Sequence, residues 1–324
     1  MRRLTPSREI EVARAGGAHV PPLLERVEAL LVEVAAEHRG QLAQLAGETI
    51  AAGGKRLRPL LVILAAGGDT SESLVRAAAA VELIHSATLV HDDVLDAAPL
   101  RRGRPTIYAS HGRAAATQTG DLIFARAFSL VAGNDDAEQL RILSDASSAL
   151  ARGELLQRAD AWQTSITFER YLERCDLKTA RLFQAAARLG ARNGDGDGDA
   201  LGGFGRSIGL AFQILDDVLD VSGPADRTGK HRGTDLLDGT VTLPFILARA
   251  RDPELAGVDM RCIETAEQAE LLCDRITATG ALEQARATAH EYVEDARALL
   301  PESLSTQQRT ALDMVAAGVV ARFA

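Results

Sequence analysis

Between Pro105 and Pro224 the chain carries no proline, and Ala, Leu, Glu, Arg and Gln dominate the span. So long a stretch without the residue that breaks helices is read by the period of its apolar positions. Those positions recur at steps of three and four, and no sustained alternation of period two competes with them. Along the whole chain this pattern predicts helices over 71–95, 137–156, 168–189, 201–221, 281–300 and 306–323. Prolines at Pro21-Pro22, Pro59, Pro99, Pro105, Pro224, Pro244, Pro253 and Pro301 mark joints. The expected class is all-α. Composition does not shift abruptly and no linker rich in Pro, Ser and Gly divides the chain, so residues 1–324 are expected to form one domain.

Two of these apolar helices carry the same five-residue word, Asp92-Asp93-Val94-Leu95-Asp96 and Asp216-Asp217-Val218-Leu219-Asp220. Carboxylates avoid apolar settings unless they are paired or bind metal. Residues four apart stack on one helix face, so Asp92 lies over Asp96 and Asp216 over Asp220. Two such faces turned toward one cavity make a hard-oxygen cage for Mg²⁺, which binds through one or two carboxylates together with water and substrate phosphates. The doubled word therefore points to diphosphate chemistry. One copy alone would have a blander reading, an acidic helix end.

The basic residues are placed to match. His85 shares a helix face with Asp92 and Asp96, and Arg101-Arg102-Gly103-Arg104 follows the first word closely. Guanidinium forks of this kind take phosphate oxygens bidentately. Gly53-Gly54-Lys55-Arg56-Leu57-Arg58-Pro59 combines close backbone approach with three cations before a helix-starting proline. Lys178-Thr179-Ala180 lies between the two words, with the Lys178 ammonium expected to face inward among apolar neighbours. A lone helical lysine is ordinarily solvated, so Lys178 counts only in this company. Gln213 stands one turn before the second word and Lys230 follows it.

The formal net charge of −9 counts against nucleic acid as a partner. Cys175, Cys262 and Cys273 show neither metal-ligand nor disulfide spacing, which suits a reducing cytoplasm. The N-terminal residues lack the apolar core of a signal peptide, and no transmembrane segment is expected, since apolar runs such as 59–66 are too short. The run from Asn193 to Asp199 imitates a calcium loop but lacks the closing glutamate, so a solvated interhelical turn is expected there.

Together these motifs resemble the trans-isoprenyl diphosphate synthase (polyprenyl synthetase) family, and look most like its bacterial long-chain members. The matching words are Gly54-Lys55-Arg56-Leu57-Arg58, the first aspartate word with Arg101-Arg102-Gly103, Gly120-Asp121, Gly153-Glu154 with Gln157, Lys178-Thr179, and the run from Phe212 to Asp220. Their order and spacing agree from Gly53 to about Leu247. The resemblance implies a helical bundle around a deep cavity (the isoprenoid synthase type I fold), a homodimer, and dependence on Mg²⁺ with up to three ions per site and Mn²⁺ as a substitute. By it, Asp92, Asp93, Asp96, Asp216, Asp217 and Asp220 hold the metal that clamps an allylic diphosphate: dimethylallyl, geranyl, farnesyl or geranylgeranyl. Arg101, Lys178 and Lys230 would hold that same diphosphate. Lys55, Arg58, His85 and Arg102 would hold isopentenyl diphosphate, and Thr179 and Gln213 would stabilise the allylic cation. One position departs from the pattern. Gly239-Thr240-Val241-Thr242-Leu243-Pro244 stands where many relatives have Gly-Lys-x-Thr-Leu-Pro, so one diphosphate-binding cation is missing or replaced.

The implied reaction is ionisation of the allylic diphosphate, attack by the double bond of isopentenyl diphosphate, and loss of a proton. No side-chain base stands out, which leaves the departing diphosphate as the acceptor. Product length is sought on the helix behind the first word. Steps of three or four back from Asp92 give Thr88 (with Ala87 beside it), Ile84, Val81 and Ala77. A helix turn rises ~5.4 Å, roughly one extended prenyl unit, so each turn gauges about one unit. Ala87 and Thr88 are small where short-chain relatives carry an aromatic floor, and the first word lacks the two-residue insertion common in bacterial farnesyl synthases. A long-chain product, of the kind used for quinone side chains, is expected. Geranylgeranyl diphosphate is the alternative, because Ile84 is bulky enough to close a tunnel. A class I terpene cyclase would need neither the second identical word nor the Gly-Lys-Arg-Leu-Arg segment, and a regulatory subunit of a heteromeric synthase would typically lose the aspartate words.

Overall fold

The computed structural model describes residues 8–37, 40–51, 54–101, 103–194, 196–223 and 232–322. The all-α expectation holds. Helices α1 (Arg8–Ala15), α2 (Val20–Ala36), α3 (Gln41–Ala51), α4 (Leu57–Ala65) and α5 (Glu72–Leu95) are followed by a two-residue hairpin, Leu100–Arg101 with Arg104–Pro105. Then come α6 (Ile107–Ala132), α7 (Ala137–Asp160), α8 (Phe168–Cys175), a π-helical turn (Asp176–Ala180), α9 (Arg181–Asn193) and α10 (Gly198–Ser222). The rest comprises α11 (Thr234–Leu237), α12 (Leu243–Arg251), α13 (Pro253–Ala256), a 3₁₀ turn (Met260–Cys262), α14 (Ala266–Ala278), α15 (Ala281–Ala298) and α16 (Thr306–Arg322).

Helix starts follow local chemistry. Pro21 and Pro22 sit in the first turn of α2, and Pro244 in that of α12, where a missing N–H costs nothing. The hydroxyls of Ser71, Thr106 and Thr167 cap α5, α6 and α8 by accepting from the N–H groups of Leu74, Ala109 and Arg170. Thr265 and Gln268 form a reciprocal capping box on α14.

The chain packs as two compact units. The first comprises Met1–Ser147, Leu182–Gly205 and Leu299–Val315; the second comprises Ser148–Arg181, Arg206–Ala298 and Ala316–Ala324. In the first, α5 packs along α4 and α6 and is buried from Leu74 to Ile84 apart from Arg76. By length and composition α5 alone among the described helices could cross a membrane, and 72% of that apolar window is buried inside the protein. The second unit contains α8, α11 to α15 and the π turn, with the C-terminal part of α10.

Two differences from the sequence pattern have physical causes. The helix expected over 168–189 is interrupted by the π turn, which the apolar period does not register. The pattern marks no helix over 107–132, since that segment is rich in alanine and interrupted at Gly112, where φ is 82°. Around 193–199 the expected interhelical turn is present: α9 ends at Asn193, and the Asp197 carboxylate accepts from the N–H groups of Asp199 and Ala200 to start α10. Asp195, within that run, lies outside the described residues.

Candidate active site

Both aspartate words fall at the C-terminal end of a helix. Asp92 and Asp93 lie in the last turn of α5, with Asp96 as its C-cap residue; the second word occupies the last two turns of α10. Unpaired carbonyls give a helix C-terminus partial negative charge, so three carboxylates there repel it and each other unless cations arrive.

In the first unit the three aspartates differ in setting. Asp93 is buried and accepts a 2.8 Å bond from Arg101 Nε, whereas Asp92 is half-buried and Asp96 exposed. Asp93 and Arg101 border a cavity of about 450 Å³, together with Arg56, Glu82, His85 and Arg104. Arg56 is the N-cap of α4 in a left-handed conformation (φ 47°), held by Glu28 at 2.5 Å, by Glu82 at 2.7 Å and by the carbonyl of Ile50 at 3.0 Å. Breaking such a buried pair strands the other charge, so the middle cation of Gly-Lys-Arg-Leu-Arg is an architectural one. Lys55 is exposed, 3.6 Å from Glu9, and the Arg58 guanidinium stacks 4.6 Å from the centre of the Phe183 ring. Neither residue lines the cavity that His85 borders.

Ala87, Ile84 and Val81 are fully buried and Thr88 is half-buried. At 3.6 residues per turn, Thr88, Ile84, Val81 and Ala77 continue the face of Asp92, while Glu82, Ser86, Leu89 and Asp93 form the cavity face about a third of a turn away. His85, on the Asp92 face, also borders that cavity, so the two faces meet at His85.

In the second unit, Lys178 and Thr179 lie in the π turn. Lys178 Nζ donates to Glu154 Oε2 at 2.6 Å and to Gln157 Oε1 at 3.1 Å, so its neighbours are polar rather than the expected apolar ones. Burial tends to raise the Glu154 carboxyl, but Lys178 and Arg158 bring it below the usual range. Gly153 makes the approach feasible: a Cβ there would lie 2.6 Å from Lys178 N and 2.9 Å from the carbonyl carbon of Leu177. We expect Gly153→Ala to cost about 1–3 kcal/mol, because backbone has to yield, and to raise KM for the allylic substrate as Lys178 moves; denaturant titration and steady-state kinetics check this.

Thr179 Oγ1 donates to Gln213 Oε1 at 2.6 Å, and Gln213 Nε2 donates to Asp217 Oδ1 at 2.8 Å. The buried Tyr171 hydroxyl donates to Asp217 Oδ2 at 2.6 Å. Burial, with Asp235 adding like charge, pushes the Asp217 carboxyl up to about 8 against these hydrogen bonds. Asp216 is exposed and Asp220 half-buried, with Asp220 Oδ2 accepting from Asp235 N at 3.2 Å. In both words, then, the second aspartate is the buried one held by protein donors. Tyr171, whose role no sequence motif announces, and Arg174, which donates to the Val241 carbonyl beside Thr240, complete this network. Tyr171→Phe is expected to lose roughly 1–3 kcal/mol of stability by leaving Asp217 short of a donor, measured by denaturant unfolding. Arg102 and Lys230 lie outside the described residues.

Among the described residues no three His, Cys, Asp or Glu side chains gather into a ready-made metal cage. Asp92, Asp96, Asp216 and Asp220, the less buried members of the two words, carry the hard oxygens that Mg²⁺ takes alongside waters and substrate phosphates.

The sequence profile of the polyprenyl synthetase family matches residues 39–278. The chain belongs to that family. It is 37% identical to octaprenyl diphosphate synthase of Escherichia coli (strain K12) over 278 residues, covering 83% of this chain and 86% of that one. A decaprenyl diphosphate synthase from Rhodobacter capsulatus superposes with a TM-score of 0.89 at 35% identity, over 98% of this chain and 99% of that one. A polyprenyl synthase from Caulobacter crescentus CB15, complexed with calcium and isoprenyl diphosphate, gives 0.88 at 35% identity over 98% of each chain. The chain is accordingly a transferase of the isoprenoid synthase fold, a prenyltransferase acting on isoprenoid diphosphates, and members of its family use divalent metal.

Proposed function

We propose that this chain joins isopentenyl diphosphate head-to-tail onto an allylic diphosphate to build a long trans-polyprenyl diphosphate of the quinone side-chain kind. One observation carries the reading: the identical aspartate words, each closing the C-terminal end of an apolar helix where cations are needed. Asp92, Asp93, Asp96, Asp216, Asp217 and Asp220 serve Mg²⁺, up to three ions. Asp93 and Asp217, already held by Arg101 and by Tyr171 with Gln213, act mainly by fixing the words in place.

Bound Mg²⁺ supplies neutralisation of the leaving diphosphate. Arg101, Lys178 and Lys230 hold the allylic diphosphate, while Lys55, Arg58, His85 and Arg102 hold isopentenyl diphosphate. The Thr179 proton is committed to Gln213, so the remaining lone pairs of Oγ1 are available to a developing allylic cation. Support for a long product comes from the small pair Ala87 and Thr88 and from the octaprenyl and decaprenyl names of the relatives. Those names weigh against geranylgeranyl diphosphate as the end product. A homodimer in the cytoplasm is the expected working form.

The test supplies the purified protein with labelled isopentenyl diphosphate and each of the dimethylallyl, geranyl, farnesyl and geranylgeranyl primers, then separates the products by chain length. Products longer than geranylgeranyl diphosphate are expected. Accumulation of geranylgeranyl diphosphate alone would overturn the long-chain reading, and hydrocarbon released from an allylic diphosphate alone would overturn the synthase reading. Chelation with EDTA is expected to stop elongation, and added Mg²⁺ to restore it; turnover at full rate in EDTA would remove the metal from the scheme.

A further inference from the structure

We infer that Arg104 is an additional cationic contact for the diphosphate of isopentenyl diphosphate, set opposite Arg101 by the hairpin; the inference rests on the function proposed above. In the hairpin register Arg101 pairs directly with Arg104, and like charges so placed destabilise a strand pair unless something of opposite sign lies between or beside them. For Arg101 that partner is Asp93 at 2.8 Å. Among the described residues Arg104 has no ion pair. It is exposed, and it borders the same cavity of about 450 Å³ as His85.

The other charges of the cavity are largely committed, and Glu48, which also borders it, is exposed and accepts from Gln44 Nε2 at 2.8 Å. Arg56 is engaged with Glu28 and Glu82, and Arg101 with Asp93. Glu82 is buried and already served by Arg56, so it makes a poor site for a metal ion. A diphosphate that enters here meets Arg104 and His85. Of the two substrates, the isopentenyl one keeps its diphosphate during the bond-forming step and therefore needs cations rather than a metal clamp. The allylic diphosphate is a leaving group and belongs with the aspartate faces. A guanidinium fork in a tight hairpin is also pre-ordered, so less entropy is lost on binding than with a free lysine.

The experiment compares wild type with Arg104→Gln and Arg104→Lys. Losing a charge-assisted contact is expected to raise KM for isopentenyl diphosphate roughly tenfold in Arg104→Gln, with less than twofold change in KM for farnesyl diphosphate. Arg104→Lys, which keeps the charge without the fork, is expected to fall between the two proteins. Calorimetric titration with isopentenyl diphosphate in EDTA gives a readout independent of turnover, and the same weakening is expected there. Unchanged KM and unchanged metal-free binding in Arg104→Gln overturn the inference, as does an equal rise in KM for both substrates. If wild type elongates normally in these runs, such a failure concerns Arg104 alone. A wild type that consumes no isopentenyl diphosphate overturns the parent reading and this inference with it.

Discussion

Asp92→Ala and Asp216→Ala are each expected to lower kcat by roughly 10²–10³-fold while costing the metal-free protein less stability than loss of the buried aspartates, since removing an electrostatic stabiliser of the reaction has effects of that size. The two positions are suited to such a separation. Asp216 is exposed and Asp92 half-buried, so truncation opens no cavity in the core. Each charge also sits at a helix C-terminus, where it opposes the macrodipole, and its loss is worth about 0.3–1 kcal/mol in favour of the apo fold. The signature is therefore a lost rate with a melting temperature that falls less than in variants of the buried aspartates. Asp93→Ala and Asp217→Ala should behave differently, because each strands buried donors: Arg101 in one case, Tyr171 and Gln213 in the other. Those variants should lose stability as well as rate. Near-normal kcat for both Asp92→Ala and Asp216→Ala would sink the metal-clamp mechanism. Steady-state assays across a Mg²⁺ titration, paired with thermal melts in EDTA, make the comparison.

Thr88→Phe is expected to shorten the main product by several prenyl units, toward geranylgeranyl diphosphate or below. Thr88 lies on the face of α5 that leads back from Asp92 and is only half-buried, so an aromatic ring there has room to project. Ala87→Phe should shorten the product too, but Ala87 is fully buried, and overpacking is expected to cost about 1–3 kcal/mol of stability alongside the change in product. Leu89→Phe is the control. Leu89 follows Thr88 by about 100° around the helix and borders the cavity with His85, so it should alter isopentenyl diphosphate kinetics and leave product length alone. Chromatography of chain lengths decides. An unchanged distribution in both Thr88→Phe and Ala87→Phe would place the ruler on another element.

Much of this protein is legible in one dimension. Apolar periodicity located α5, α7, α10, α15 and α16 to within a few residues, because burial of one helix face imposes a period of 3.6 on the sequence itself. The repeated aspartate word fixed the chemistry, because carboxylates in apolar helices carry an energetic cost that metal and diphosphate can offset. What the linear pattern does not carry is which oxygen of each word is already satisfied. Asp93 and Asp217 read like their neighbours in the sequence, yet burial and donors brought by the fold, Arg101 from the first strand of the hairpin and Tyr171 from α8, set them apart. The π turn at Asp176–Ala180 is equally silent, and so is its close approach to Gly153 in another helix, where a Cβ would meet its backbone. The apolar period determined the helical class and the doubled aspartate word pointed to diphosphate chemistry, because both follow from solvation residue by residue. The tertiary structure alone decided which cations are structural, as with Arg56 between Glu28 and Glu82, and which face a cavity, as with Arg104. The physical reason is that a charge takes its role from the partners that folding brings within a few ångströms, and those partners lie far away along the chain.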